Sequence, residues 1–191
     1  MKMIIFASGS GSNAENLIQY FRGSNIEISA IFCNVEGAGV LDRAQRLGIP
    51  CERFNREEWK TGDRIDAIID SYNPDLIVLA GFLWLFPKRL LLKYPHVINL
   101  HPALLPKFGG KGMFGMHVHE AVVAAKESET GITVHWVTEH YDEGAPLFQA
   151  KCEVLPTDDA MEVANKIHEL EQLHFPKVVD EVLKVIAQKS R

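Results

Sequence analysis

Hydrophobic positions along the chain fall into short blocks that alternate between two spacings. A continuous apolar block, Lys2–Ala7, predicts a strand; a Gly/Ser cluster follows, and then apolar residues at helical spacing end near Gly23. The same alternation continues to residue 80, with predicted strands at 26–33, 50–54 and 75–80 and predicted helices at 40–47 and 65–72. This order predicts a parallel sheet with helices on both faces.

The pattern changes in the second half of the chain. A short buried strand is predicted at 97–100, and then 131–138 alternates apolar with polar residues and 146–154 is another candidate strand. Helices at 158–168 and 173–188 are predicted to close the chain. We therefore expect an α/β, Rossmann-like fold: a mostly parallel twisted sheet with helices on both faces and an antiparallel extension in the C-terminal part.

Composition narrows the classes of protein. The 191 residues are 47% apolar, enough for one sizeable core, and 20 Lys and Arg against 25 Asp and Glu disfavour a nucleic-acid-binding surface. No apolar run approaches the roughly 18 residues of a membrane span, and the amino terminus lacks a signal-peptide pattern. We expect a cytoplasmic protein with no membrane partner, whose three cysteines are free thiols.

A glycine-serine loop, Gly9-Ser10-Gly11-Ser12-Asn13, separates the first strand from the first helix. Backbone N–H groups and the positive end of the helix dipole converge there, which suits a phosphate. The alternative is a tight turn with Ser12 or Asn13 as the helix N-cap. With Ala14 the loop also fits a dinucleotide-binding pattern, but Asn34 stands where that pattern wants an acid, which favours a smaller phosphorylated ligand.

Polar side chains at the ends of predicted strands form a second candidate site. Asn99 and His101 are two apart in an extended segment, so we expect their side chains to project together. Taken singly, each has an ordinary structural explanation, and Asp142 alone is a turn former. An amide, an imidazole and a carboxylate together suit the stabilisation of an oxyanion and the movement of a proton.

These residues lie in stretches that resemble the phosphoribosylglycinamide formyltransferase family of folate-dependent enzymes. The stretches cover nearly the whole chain: residues 9–13, 79–82, 98–107, 131–135, 141–144, and Glu171 followed by His174-Phe175-Pro176. The resemblance implies transfer of a formyl group from 10-formyltetrahydrofolate, as co-substrate, to the amine of 5'-phosphoribosylglycinamide in purine biosynthesis. It implies small-molecule partners and no metal.

The resemblance also assigns roles by position. Asn99, His101 and Asp142 become the catalytic trio, with Asp142 keeping His101 wholly or partly protonated. The substrate-binding residues become Gly11, Ser12, Asn13 and Glu171, and the folate wall becomes Leu83, Trp84, Leu85, Phe86, Thr138, Glu139, His140 and Tyr141. We expect one domain, 1–191, with a phosphate-binding half at 1–100 and a folate-binding and catalytic half at 101–191, acting as a monomer or homodimer.

Three departures from the family pattern affect these expectations. Many relatives have Met-Arg-Ile-Leu where this chain has Leu83-Trp84-Leu85-Phe86, so a basic contact to the folate is missing or supplied elsewhere. The glycine-rich loop 108–115 is longer than in common relatives and is a candidate lid. His168 stands where a Gln is frequent near the substrate.

Other interpretations stay open at this point. His117 and His119 invite a metal site, but no spacing selects a third ligand, so we expect the start of a helix near the pocket. Rival functions are a formyltetrahydrofolate hydrolase, a formyltransferase for another amine, and a dinucleotide-binding module. The length of the chain speaks against the first two, since those enzymes usually carry an extra domain.

Overall fold

The computed structural model describes residues 1–189 and contains one seven-stranded sheet with helices on both sides. The strands are β1 Lys2–Ala7, β2 Glu27–Cys33, β3 Cys51–Arg53, β4 Leu76–Leu79, β5 Val97–His101, β6 Glu129–Trp136 and β7 Pro146–Glu153. The helices are α1 Ser12–Phe21, α2 Gly39–Leu47, α3 Arg56–Thr61, α4 Asp63–Tyr72, α5 Lys88–Lys93, α6 Met116–Ala124 and α7 Ala160–Lys189.

The strand order is β3-β2-β1-β4-β5-β6-β7. The first five strands of this order pair in parallel, whereas β5–β6 and β6–β7 pair antiparallel. The predicted mostly parallel sheet with an antiparallel extension is therefore confirmed. The chain changes direction across the sheet between β1 and β4, and ligands of such sheets bind beyond the carboxyl ends of the strands at this point.

Each face of the sheet has its own core. Successive residues of β1 alternate between the faces, so that Met3 and Ile5 pack under α1, α2, α6 and α7 while Ile4 and Phe6 pack under α3, α4 and α5. The second face is rich in aromatic rings, and Phe6 stacks on Phe32 with ring centroids 4.7 Å apart. The predicted helices on both faces are confirmed.

The end of the chain differs from the prediction. The two expected helices, 158–168 and 173–188, are one helix of 30 residues that contains Pro176. Proline lacks an N–H, so the carbonyl of Gln172 loses its partner within the helix. The side chain of Asn16 on α1 donates to that carbonyl at 3.0 Å, which satisfies the freed acceptor and allows the helix to continue.

Two short helices, α3 and α5, were not predicted. The α3 signal is a capping box at Asn55, whose side chain accepts from the backbone of Glu58 while the Glu58 carboxylate accepts from the backbone of Asn55. No helix in the described part of the chain is long and apolar enough to span a bilayer. The predicted division of the chain into halves 1–100 and 101–191 stays a prediction. The last two residues of the second half, 190 and 191, lie outside the described range.

Candidate active site

A cavity of about 620 Å³ opens beyond the carboxyl ends of β1, β4 and β5. The glycine-serine loop after β1 forms one wall, and the ends of β4 and β5 form another. Predicted site residues from distant parts of the chain all line this space: Gly11, Ser12, Asn13, Leu83, Trp84, Asn99, His101, Tyr141, Asp142 and Glu171. The fold therefore brings the predicted phosphate loop and the predicted catalytic trio to one cavity.

Gly11 gives the phosphate loop its shape. Its φ is +80°, and a Cβ there would lie 2.5 Å from Cγ2 of Val40 on α2. Helix α1 begins at Ser12 with Gly11 as its N-cap, and no side chain caps it. The alternative in which Ser12 or Asn13 serves as N-cap is therefore wrong, and the uncapped first-turn N–H groups border the cavity.

Glu171 on α7 reaches the same wall of the cavity. Its side chain is 14% exposed, and Nδ2 of Asn13 donates to its Oε2 at 2.9 Å. Burial raises the pKa of Glu171 above its ordinary value, although the Asn13 hydrogen bond and nearby His168, 3.6 Å away, oppose that shift. His168, an exposed residue, lies beside the carboxylate that the family resemblance places at the substrate amine.

Asp142 is the centre of the predicted catalytic trio. Its Oδ1 accepts a long 3.4 Å hydrogen bond from Nδ2 of Asn99, and its Oδ2 lies 3.5 Å from Nδ1 of His101 and accepts from the backbone of Gly110 at 2.9 Å. Burial alone would raise the pKa of Asp142, but contacts with two histidines and the Gly110 N–H together lower it. The carboxylate is therefore ionised at neutral pH.

The turn that contains Asp142 packs closely against the end of β6. Asp142 itself has a positive φ of 57°, a conformation that Asp adopts in tight turns. At Gly144 any Cβ would overlap the carbonyl oxygen of Trp136. The glycine is needed for the turn to approach the strand closely enough to place the carboxylate in the cluster.

His101 is buried, and the protein occupies both of its ring nitrogens. Nε2 lies 2.8 Å from the carbonyl oxygen of Phe108, which can only accept, so Nε2 carries a proton, and Nδ1 faces the Asp142 carboxylate at 3.5 Å. Burial lowers the pKa of His101, and the attraction of Asp142 only partly offsets this. Burial therefore opposes the expectation that Asp142 keeps His101 protonated, and that expectation stays a prediction.

A fourth member of the cluster, His135, was missed as a site residue by the sequence analysis. Antiparallel pairing places His135 on β6 opposite Asn99 on β5. Its Nδ1 donates to the Trp136 carbonyl at 2.8 Å, so Nε2 faces Nδ2 of Asn99 at 3.1 Å and Oδ1 of Asp142 at 3.5 Å. The alternating pattern of β6 places His135 on the same face as Thr133, opposite Ile132 and Val134. The register that brings it to Asn99 has no signal in the sequence.

The predicted folate-wall residues surround a second, narrow crevice beside the cluster. It measures about 50 Å³, and Asn99, His135 and Asp142 form its inner end. The predicted residues that line it are Trp84, Leu85, Phe86, Thr138, His140 and Tyr141. Leu83 lines the larger cavity instead, and the Glu139 side chain points away to Lys88 Nζ, 2.8 Å distant at the surface.

A basic residue that the sequence analysis did not single out lies at the rim of the larger cavity. The guanidinium of Arg56 on α3 is 5.1 Å from the ring centroid of Trp84, within the range of a cation–π contact. A basic group from another element thus lies beside the 83–86 segment, which has none of its own. The unpredicted helix α3 carries it.

The histidine pair of α6 lies close to the start of that helix. His117 and His119 lie in the first turn of a helix that begins at Met116, as expected for a helix near the pocket, and His119 lines the cavity. Among residues 1–189, no group of three or more His, Cys, Asp or Glu side chains is arranged to hold a metal ion.

Residues 1–179 match the family model described as formyl transferase. This chain belongs to the formyl transferase family. The match covers both the glycine-serine loop and the cluster around Asp142.

Individual relatives agree with the family. The chain is 32% identical over 186 residues to a chloroplastic phosphoribosylglycinamide formyltransferase of Arabidopsis thaliana, covering 93% of this chain and 64% of that protein. It is 30% identical to the Escherichia coli phosphoribosylglycinamide formyltransferase, with 94% and 85% covered. The crystal structure of the Brucella melitensis phosphoribosylglycinamide formyltransferase superposes with a TM-score of 0.84 at 36% identity, with 94% of each chain covered.

The plant relatives are longer proteins. This chain spans 64% and 60% of the Arabidopsis and Vigna unguiculata sequences.

Proposed function

We propose that the protein transfers the formyl group of 10-formyltetrahydrofolate to the amine of 5'-phosphoribosylglycinamide, in the synthesis of purines. One observation carries the proposal: a phosphate-type loop, a buried carboxylate and an amide–imidazole–carboxylate cluster share the walls of a single cavity. The names of the relatives and the formyl transferase family support the same donor and acceptor.

The reaction requires three things of the protein. The amine nitrogen forms a bond to the formyl carbon, the bond from that carbon to folate N10 breaks, and a proton passes from the amine to N10. Negative charge builds on the formyl oxygen meanwhile. The protein must therefore stabilise an oxyanion, accept a proton and return one.

The cluster meets these requirements with residues already in contact. Nδ2 of Asn99 has one firm partner, His135, and only the long bond to Asp142, so its second N–H is the donor ready for the oxyanion. His101 would be a second donor: its Nε2–H would give up the hydrogen bond to the Phe108 carbonyl and form one to the oxyanion. Asp142, between two imidazoles, orients them and can hold a water that relays the proton.

The ribonucleotide has a natural orientation in the cavity. Its phosphate would bind the N–H groups of residues 11–13 at the start of α1, where the helix dipole favours an anion. Its amine would lie between Glu171 and the cluster. This arrangement places the two ends of one small molecule on the two polar walls of the cavity.

The folate would enter beside the cluster through the crevice lined by 84–86 and 138–141. That crevice is smaller than a pterin ring, so binding requires the side chains that line it to move apart. Arg56, over Trp84 at the rim, is the basic group placed to meet the acidic tail of the folate. A cytoplasmic location, the absence of a bound metal and a monomeric or homodimeric state stay predictions from the sequence.

A spectrophotometric formyl-transfer assay with a 10-formylfolate donor tests the proposal. The acceptors are glycinamide ribonucleotide, water alone and a free amino sugar. We expect turnover with the ribonucleotide only. Release of formate without an acceptor would make the protein a hydrolase, turnover with the sugar would change the acceptor, and no turnover at all would favour a nucleotide-binding module.

A further inference from the structure

His119 is a buried histidine without a hydrogen-bond partner. Within residues 1–189, the only buried side-chain nitrogen or oxygen atoms without a partner are Nδ1 of His119 and Nδ2 of Asn34. His119 is 7% exposed, and its ring lines the 620 Å³ cavity. A polar ring that gives up water without gaining a protein partner is destabilising, so a native structure that keeps one on a cavity wall points to a ligand.

The ring has one nitrogen left for such a ligand. Nδ1 is inaccessible to solvent, so Nε2 is the nitrogen that reaches the cavity. Burial and the neighbouring His101 both lower the pKa of His119, so the ring is neutral at pH 7. A buried N–H without an acceptor is rarer than a buried acceptor without a donor, which assigns the single proton to Nε2. His119 thus presents an N–H donor to the cavity.

The position of His119 selects the substrate that would receive this donor. The ring lines the larger cavity together with the glycine-serine loop and Glu171, and it is absent from the crevice assigned to the folate. It lines the same cavity as His101 of the predicted catalytic trio. The acceptor therefore belongs to the ribonucleotide, at the end of that molecule nearest the reacting amine.

We propose that Nε2–H of His119 donates a hydrogen bond to the carbonyl oxygen of the glycinamide group, the acceptor atom next to the attacking amine. His119 is then a specificity residue that distinguishes an amino-amide from a simple amine. This inference rests on the proposed function and adds to it a contact on the acceptor.

Three variants of His119 distinguish a hydrogen bond to the ribonucleotide from a role in packing alone. His119→Gln can place an amide N–H near the position of Nε2, His119→Asn reaches only the position of Nδ1, and His119→Leu removes both. We expect the Leu and Asn variants to bind the ribonucleotide about tenfold more weakly, the value of one hydrogen bond to a neutral partner, and the Gln variant to stay within about threefold of wild type. The KM for the folate should stay unchanged.

The test measures binding of glycinamide ribonucleotide by calorimetry, with melting temperature as the check on folding. Equal binding by wild type and a folded Leu variant would overturn the His119 contact, as would weakening in the Gln variant equal to that in the Leu variant. If the Leu variant does not fold, the comparison of Gln with Asn decides. No binding of the ribonucleotide by wild type would instead contradict the proposed function, so the two failures are distinguishable.

Discussion

The two polar walls of the cavity are built in different ways. The phosphate wall comes from consecutive residues, 9–13, whose geometry is fixed by one strand end, one helix start and the left-handed Gly11. The catalytic wall is formed by Asn99, His101 and Asp142, which lie up to 43 residues apart. Asn99 and Asp142 also contact His135 of β6, which lines the neighbouring crevice. A local motif needs only the right residues in sequence, whereas the cluster also needs the correct strand register and a close turn.

The two walls also differ in what they offer a ligand. The phosphate wall presents backbone N–H groups, whose charge distribution is the same at every pH. The catalytic wall contains groups that titrate: burial lowers the pKa of His101, and contacts with the histidines and Gly110 lower that of Asp142 against the effect of burial. We therefore expect changes to the first wall to affect substrate binding and changes to the second to affect the rate of transfer.

The largest expected effect is at the centre of the catalytic wall. Asp142→Asn removes the negative charge that orients His101 and His135, and formyl transfer should fall by at least about 10², the loss typical of one oxyanion-hole component. The reduction should lie in kcat and leave ribonucleotide binding near wild type. Steady-state kinetics and calorimetry measure the two quantities.

A matched control exists on α7. Asp180→Asn makes the same chemical change at a carboxylate that contacts Lys184 at 3.0 Å, outside the cavity, and should leave kcat unchanged. An Asp142→Asn variant as active as this control would remove Asp142 from the mechanism.

The second prediction compares two glycines of the phosphate wall. Gly11→Ala places a methyl group against Val40 and strains a positive φ, so we expect it to lower the free energy of unfolding by about 1–3 kcal/mol. A Cβ at Gly9 meets nothing within 4 Å, so Gly9→Ala should fold like wild type. Denaturant unfolding distinguishes them, and equal stability of the two variants would contradict the role of Gly11.

The third prediction concerns the residue that the sequence analysis missed. His135→Gln removes the ring that accepts from Asn99 and leaves the strand in place, so kcat should fall about tenfold, equivalent to about 1.4 kcal/mol of transition-state stabilisation. The measurement is kcat at saturating concentrations of both substrates. Unchanged kcat in a folded variant would reduce His135 to a packing residue.

The smallest expected effect is a pH dependence of stability. Burial lowers the pKa of His101 and His119, so the folded protein binds fewer protons than the unfolded chain, and stability should fall as pH drops below about 6.5, the ordinary histidine value. The depressed pKa of Asp142 adds a loss only below about pH 4. Melting temperatures between pH 8 and 5 should decline less in His119→Gln than in wild type; equal slopes would argue against a neutral buried His119.

The sequence predicted most of the sheet because each strand has its own local pattern. It failed at Pro176, where the local rule against proline in a helix is offset by a distant side chain, Asn16. It also failed at His135 and Arg56, which reach the site through strand register and through a six-residue helix with too few turns for an apolar pattern. The misses are thus the contacts made between elements, and those contacts complete the candidate site.

One measurement directly tests whether the first wall binds the phosphate and the second wall carries out the transfer. The ratio of kcat/KM for glycinamide ribonucleotide to kcat/KM for the corresponding riboside, which lacks the phosphate, is measured in wild type, Gly9→Ala and Asp142→Asn. We predict that a methyl group in the phosphate wall lowers this ratio at least about tenfold in Gly9→Ala, while Asp142→Asn reduces both values alike and preserves it. A ratio unchanged in Gly9→Ala, or lost in Asp142→Asn, would contradict the assignment of phosphate to one wall and chemistry to the other.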